Sequence, residues 1–134
     1  MFSHVFTSVK DFDRALAFYR PLMQCLGIRE RFCEEQVPWA GWHSEGDGRP
    51  FFVICKPYDG RSHDAGNGQM VGLAAADRAM VRRAYRTALE AGGLCEGPPG
   101  LRPRYHAHYY GAYFRDTEGN KLCVACHAPE DEGA

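Results

Sequence analysis

The sequence repeats itself at a fixed interval. Asp11 and Asp77, Tyr19 and Tyr85, and Gly27 and Gly93 are each 66 residues apart, and each set occupies equivalent places in a strand-then-helix pattern. In the first copy, residues 2–9 are rich in Phe, Val, Thr and Ser, as a strand requires. Asp11 then stands where a helix N-cap belongs. Phe12, Ala15, Leu16, Tyr19, Leu22, Met23 and Leu26 recur at helical spacing and stop at Gly27. Pro21 lies inside that helix without a backbone donor, which predicts a kink or a loosened last turn. The second copy reads the same way. Residues 70–76 suit a strand, Asp77 an N-cap, and Met80, Val81, Ala84, Tyr85, Ala88 and Leu89 a helical stripe closed by Gly92-Gly93.

Three further strand-like stretches follow the first helix, at 28–35, 37–43 and 50–56, with a polar break at 44–48. The first copy is therefore β-α-β-β-β. Residues 59–68 carry Gly, Asp, Ser and Asn without apolar periodicity and read as an exposed connection. The chain divides into module one (about 1–58), a linker (59–68), module two (69–127) and a frayed tail (128–134). Module two continues through a Gly/Pro/Arg-rich loop at 97–104, an aromatic segment at 105–115, a turn at 116–120 and a last strand at 121–127. Neither copy is long enough to close a core alone. The expectation is a single α+β domain in which two β-α-β-β-β modules pair their curved sheets, with the helices outside and a cavity between.

Composition narrows the function. The chain has 134 residues with a net charge of −1, is 45% hydrophobic and 25% charged, and so offers no basic field for a nucleic acid. No run of about 18 apolar residues occurs, and the opening residues lack the basic head and apolar stretch of a leader. These features predict a cytoplasmic protein away from membranes. The cysteines at 25, 33, 55, 95, 123 and 126 then read as reduced thiols. No Ser-His-Asp order, phosphate-binding glycine loop or dinucleotide fingerprint is present.

The opening HVFTSVKDFDRALAFYRPLMQCLGI, the closing YYGAYFRDTEGNKLCVACH with its Asp-x-x-Gly-Asn turn, and the duplication together resemble the vicinal oxygen chelate superfamily of glyoxalases, bleomycin-resistance proteins and extradiol dioxygenases. The resemblance covers nearly the whole chain. It implies a cavity that binds or transforms a small organic molecule, a lyase, isomerase or dioxygenase relative as the enzyme classes, and a homodimer as the assembly. It also implies one divalent metal, held by a first-strand and a last-strand residue of each module, commonly His and Glu. Carried over by position, those ligands fall on His4, Cys55, Met70 and Cys123. Hard ions prefer oxygen ligands, which this set lacks. Two readings follow. The soft set can hold Zn²⁺ or Cu(I), or Cys55, Met70 and Cys123 are compact residues lining a substrate cavity that has no metal. The metal-free reading needs a general acid or base, and His4 and His108 are the candidates.

Other constellations compete for attention. Cys123-Val124-Ala125-Cys126-His127 spells the c-type haem motif, but residues three apart on a strand point to opposite faces and cannot meet one porphyrin edge. The same geometry and the lack of a following helix count against a thioredoxin-like pair. The segment holding Tyr105, His106, His108, Tyr109, Tyr110 and Tyr113, preceded by Arg102 and Arg104, suits a small anionic ligand with aromatic character. Within it, His108 and Tyr110 are expected to face the cavity. His106 and His108 share a face if that segment is extended. Trp39, Trp42 and His43 line the cavity wall or serve core or dimer packing, while Glu34-Glu35 and Arg82-Arg83 are solvated faces.

Overall fold

The structure is a computed structural model that describes residues 1–44, 46 and 48–130. The expected tail fraying and 44–48 break lie partly outside the described residues. Ten elements run in order: β1 (His4–Ser8), α1 (Phe12–Cys25), β2 (Arg29–Glu34), β3 (Trp39–His43), β4 (Phe51–Cys55), β5 (Val71–Ala74), α2 (Arg78–Glu90), β6 (Leu94–Leu101), β7 (Tyr110–Arg115) and β8 (Lys121–Cys126). They form two four-stranded mixed sheets, ordered β1-β4-β3-β2 and β5-β8-β7-β6. The two modules are thus topological copies, as the duplication implies. In each, the first strand runs parallel to the last and the remaining pairs are antiparallel.

Both helices begin as their sequences dictate. The Asp11 carboxylate accepts from the Arg14 N–H at 3.1 Å and that of Asp77 from the Met80 N–H at 2.7 Å. Asp77→Ala is expected to cost about 1 kcal/mol of stability, the usual worth of an N-cap, read as a lower urea midpoint at unchanged slope. Helix α1 continues through Pro21 to Cys25, and its last turn tightens so that the Leu26 N–H reaches both Leu22 and Met23 carbonyls. Phe18, Tyr19, Leu22 and Met23 of α1, with Val81, Ala84 and Ala88 of α2, form the centre of one core shared by both sheets.

Strand alternation sets two faces. Phe52 and Ile54 of β4 and Ala112 and Phe114 of β7 point to the helices and join that core. Phe51, Val53 and Tyr113, one residue out of phase, belong to the opposite face.

The modules are clasped by the Asp116–Asn120 turn. The Asp116 carboxylate is 2% exposed and accepts four hydrogen bonds, from the Tyr19 hydroxyl at 2.5 Å, the Glu118 and Asn120 N–H groups, and the Asn120 side-chain amide. The same amide donates to the Ser8 carbonyl, and the Glu118 carboxylate accepts the N–H groups of Lys10 and Asp11. Gly119 sits at φ +84°, which the turn needs and side chains resist. One tight turn of module two thereby fixes the β1–α1 junction of module one.

Strand β6 departs from the sequence reading, which assigned a loop to 97–104. The run Gly97-Pro98-Pro99-Gly100 is tolerated because β6 is an edge strand and its pairing with β7 slips at two irregularities, so the missing proline donors break no ladder. Conversely, residues 105–109 precede β7 as turns, so His106 and His108 do not share an extended face.

Candidate functional site

Module one presents an aromatic cup. Phe6, Phe32, Trp39 and Phe51 line a cavity of about 390 Å³ with His4, Arg49 and Val53. The rings grip one another: Phe32 meets Trp39 edge-on at 5.2 Å and lies 6.0 Å from Phe51, and His43 meets Phe51 at 4.6 Å. Phe32 lies over Gly41, where a Cβ would fall 2.3 Å from its ring. Only glycine lets that ring lie flat on β3. Arg49 places its guanidinium carbon 4.9 Å from the Phe51 centroid, a cation–π contact at the rim. His4 shares Nδ1 with the Ser3 hydroxyl at 2.9 Å, and its ring lies 5.1 Å from that of Phe6. Phe6 remains 57% exposed, a large apolar cost in water unless something covers it.

A second, larger cavity of about 670 Å³ adjoins the cup through shared walls at Phe6 and Trp39 and follows the seam between the modules. Both modules contribute to it within one chain. Ser8, Cys55 and Lys56 come from module one, Met70 and Lys121 from module two, and Asp64 from the linker. Asp64 is the one acidic lining residue among those described and is engaged by the Gly66 N–H. The lining therefore carries excess positive charge. Burial raises the Cys55 thiol above its ordinary range.

The corresponding face of module two is filled by its own side chains. The Tyr109 hydroxyl bonds to that of Tyr113 at 2.9 Å and to the Cys123 sulfur at 3.3 Å. Arg102 and Lys121 flank the Tyr113 ring at 5.5 and 5.8 Å. Burial pushes Tyr109 far above the ordinary phenol range and also raises the Cys123 thiol. A raised pKa leaves less thiolate at neutral pH, and the thiolate is the nucleophile. Iodoacetamide at pH 7.5 is therefore expected to label exposed Cys95 first and Cys123 last, read by peptide mass spectrometry. Cys126 packs into the helix-side core, on the opposite face from Cys123.

Three candidates sit elsewhere than expected, the first being Cys123, which is buried beneath Tyr109 and lines neither cavity. Tyr110 faces the helices, with Arg78 and Arg82 of α2 at 5.3 and 5.9 Å from its ring, while its neighbour Tyr109 joins Tyr113 and Cys123 on the opposite face of module two. His108 is exposed on the turn before β7 and outside the lining of both cavities; its backbone N–H donates to His106. His106 in turn meets His127 at 2.9 Å between ring nitrogens. The sequence did not single out Phe6, Phe32, Arg49, Phe51, Val53 or Lys56, whose apolar or basic character reads as ordinary strand and loop.

Comparison with known proteins fixes the family. The family model described as the glyoxalase/bleomycin resistance protein/dioxygenase superfamily matches residues 1–124. The chain belongs to this superfamily. A glyoxalase/bleomycin resistance protein from Albidiferax ferrireducens is 31% identical, with a TM-score of 0.83 over 93% of this chain and 98% of that one. A family enzyme from Burkholderia phytofirmans is 18% identical, with a TM-score of 0.67 over 94% and 98% of the two chains. A glyoxalase-related enzyme from Fulvimarina pelagi is 14% identical, with a TM-score of 0.69 over 94% and 87%. These last two likenesses speak to fold alone. No curated protein matches the chain.

Superfamily members often hold a divalent metal, and the strand registers test whether these residues fit one. Phe6 pairs with Val53 in module one. Its counterpart 66 residues on, Gly72, pairs with Cys123. The structural equivalent of Cys123 is therefore Val53, while Cys55 pairs with Ser8 and corresponds to Ala125, the partner of Ala74. His4 pairs with Phe51, four residues from Cys55, or about 13 Å along the strands at the usual rise. The four ligand positions thus hold His4, Val53, Met70 and Cys123, of which valine has no donor atom and methionine only a weak one. This set does not fit the divalent ion of the family. Among the described residues, no group of three or more His, Cys, Asp and Glu side chains is arranged to hold a metal ion.

Proposed function

We propose that this protein binds a small, flat organic anion without a divalent metal, seating its planar part among the rings of the aromatic cup and its charged group toward the seam. The observation that carries this reading is the cup itself: Phe6, Phe32, Trp39 and Phe51 line one cavity, with Arg49 at the rim and Lys56 and Lys121 in the adjoining space. Stacking and edge-on contacts reward a planar ligand, and the two lysines and the arginine, which outnumber Asp64, reward a carboxylate or phosphate. Met70 lines the seam cavity, so in this reading it shapes the wall, while Cys123 lies beneath the tyrosines and only packs there. The soft-metal alternative, built on His4, Cys55, Met70 and Cys123, lacks a donor at Val53.

Tryptophan fluorescence tests the reading, because Trp39 lines the cup while Trp42 is buried in the core. A panel of aryl carboxylates is expected to give saturable quenching in the parent protein, and Trp39→Phe should abolish the response while retaining the Trp42 signal. Quenching that never saturates, or that persists in the variant, sinks the proposal. The binder and enzyme readings part at His4: turnover of a bound ligand that is lost in His4→Ala makes His4 the acid–base group. A homodimer accompanies this function, with exposed Leu101 and Tyr105 among the side chains a second copy would cover. Light scattering is expected to give twice the chain mass.

A further inference from the structure

Ser8 lines the seam cavity and is paired with a side chain 55 residues away in sequence, His63, in the geometry of a nucleophile and its base. The Ser8 hydroxyl lies 2.6 Å from Nδ1 of His63, and Nε2 of the same ring lies 2.9 Å from the Glu118 carbonyl oxygen. A carbonyl can only accept, so Nε2 carries a proton, and in the neutral ring Nδ1 presents a lone pair. The Ser8 O–H must then donate to Nδ1. This is the tautomer a general base needs, with the third member of the set orienting the ring as a carboxylate does in a hydrolytic triad.

The surroundings support chemistry at Ser8. It ends a paired strand, and its carbonyl is held by the Asn120 amide, so its position is fixed from both modules. It lines the 670 Å³ cavity together with Lys56 and Lys121, two cationic residues that favour an anionic species in the same space, and with apolar walls at Phe6, Pro38 and Trp39.

We infer that Ser8 and His63 form an acyl-transfer site that hydrolyses esters of small carboxylic acids in the seam cavity. The inference shares Lys56, Lys121 and the Phe6–Trp39 wall with the proposed ligand site, but its covalent step at Ser8 can fail while binding holds. Ser8 Oγ attacks the ester carbonyl carbon as its proton passes to His63 Nδ1, giving a tetrahedral oxyanion. That oxyanion collapses, the C–O bond to the alcohol breaks, and the alcohol oxygen takes the proton from Nδ1. Water then gives a proton to Nδ1 and attacks the acyl-serine. As that intermediate collapses, Ser8 Oγ leaves with the proton and a carboxylic acid is released. No oxidant, reductant or cofactor is needed.

The test treats the intact protein with a fluorophosphonate and locates the adduct by peptide mapping, alongside hydrolysis of p-nitrophenyl acetate. The expected adduct is on Ser8. Ser8→Ala should lower hydrolysis at least 100-fold, and His63→Ala should lower it comparably but recover on adding free imidazole, a rescue that a merely structural histidine would not show. His63→Gln, which keeps one hydrogen bond, should remain folded and inactive. A folded parent protein that takes no adduct at Ser8, or an esterase rate unchanged in Ser8→Ala, overturns the inference and leaves the pair as a fastener of the linker.

Discussion

Asp116→Ala is expected to destabilise the protein by about 3–5 kcal/mol, the range for losing one member of a buried, fully bonded polar network. The substitution orphans the Tyr19 hydroxyl, one N–H of the Asn120 amide and two turn N–H groups at once. It also loosens the turn that reaches back to Ser8 and, through Glu118, to the start of α1. Tyr19→Phe removes one of the four bonds and leaves the others, so its cost should be about 1–2 kcal/mol. Urea denaturation read by circular dichroism gives both values. A small loss for Asp116→Ala would mean that the shared helix core, not the polar clasp, holds the modules together.

Phe32→Ala carries the second large effect, on binding rather than folding. The ring is only half-buried, so stability should fall by about 1–2 kcal/mol, less than for a core aromatic. Ligand affinity should fall about 10- to 100-fold, because Phe32 sets the positions of both Trp39 and Phe51. Gly41→Ala reaches the same end from below, since the added methyl displaces the ring. Titration calorimetry with the tightest aryl carboxylate measures both. Affinity unchanged in Phe32→Ala would place the ligand outside the cup.

Local physics made most of the fold legible. Asp11 and Asp77 announce their helices because an N-cap is a property of a few consecutive residues, and the 66-residue interval fixes the modular duplication without any knowledge of contacts. Strand β6 was hidden because its glycines and prolines ordinarily break strands; its edge position, a tertiary fact, makes them harmless. The site was less legible because it depends on register. A slip of one residue reverses a strand's faces, so Tyr109 rather than Tyr110 joins the Cys123 side. The connections inside the two modules differ in length, so an aligned cysteine at 55 is two places beyond the true equivalent, Val53. Long-range partners were beyond reach altogether. Nothing near Ser8 in sequence points to His63, and nothing near Tyr19 points to Asp116.

The central claim is ligand binding without a divalent metal, and its most direct test is aryl carboxylate affinity before and after exhaustive chelation of anaerobically purified protein, with elemental analysis on the same samples. The account predicts background metal, one Kd under both conditions, and an unchanged Kd in Cys123→Ser. Near-stoichiometric metal, affinity that collapses on chelation and returns with Zn²⁺ or Cu(I), and loss of both in Cys123→Ser would contradict it.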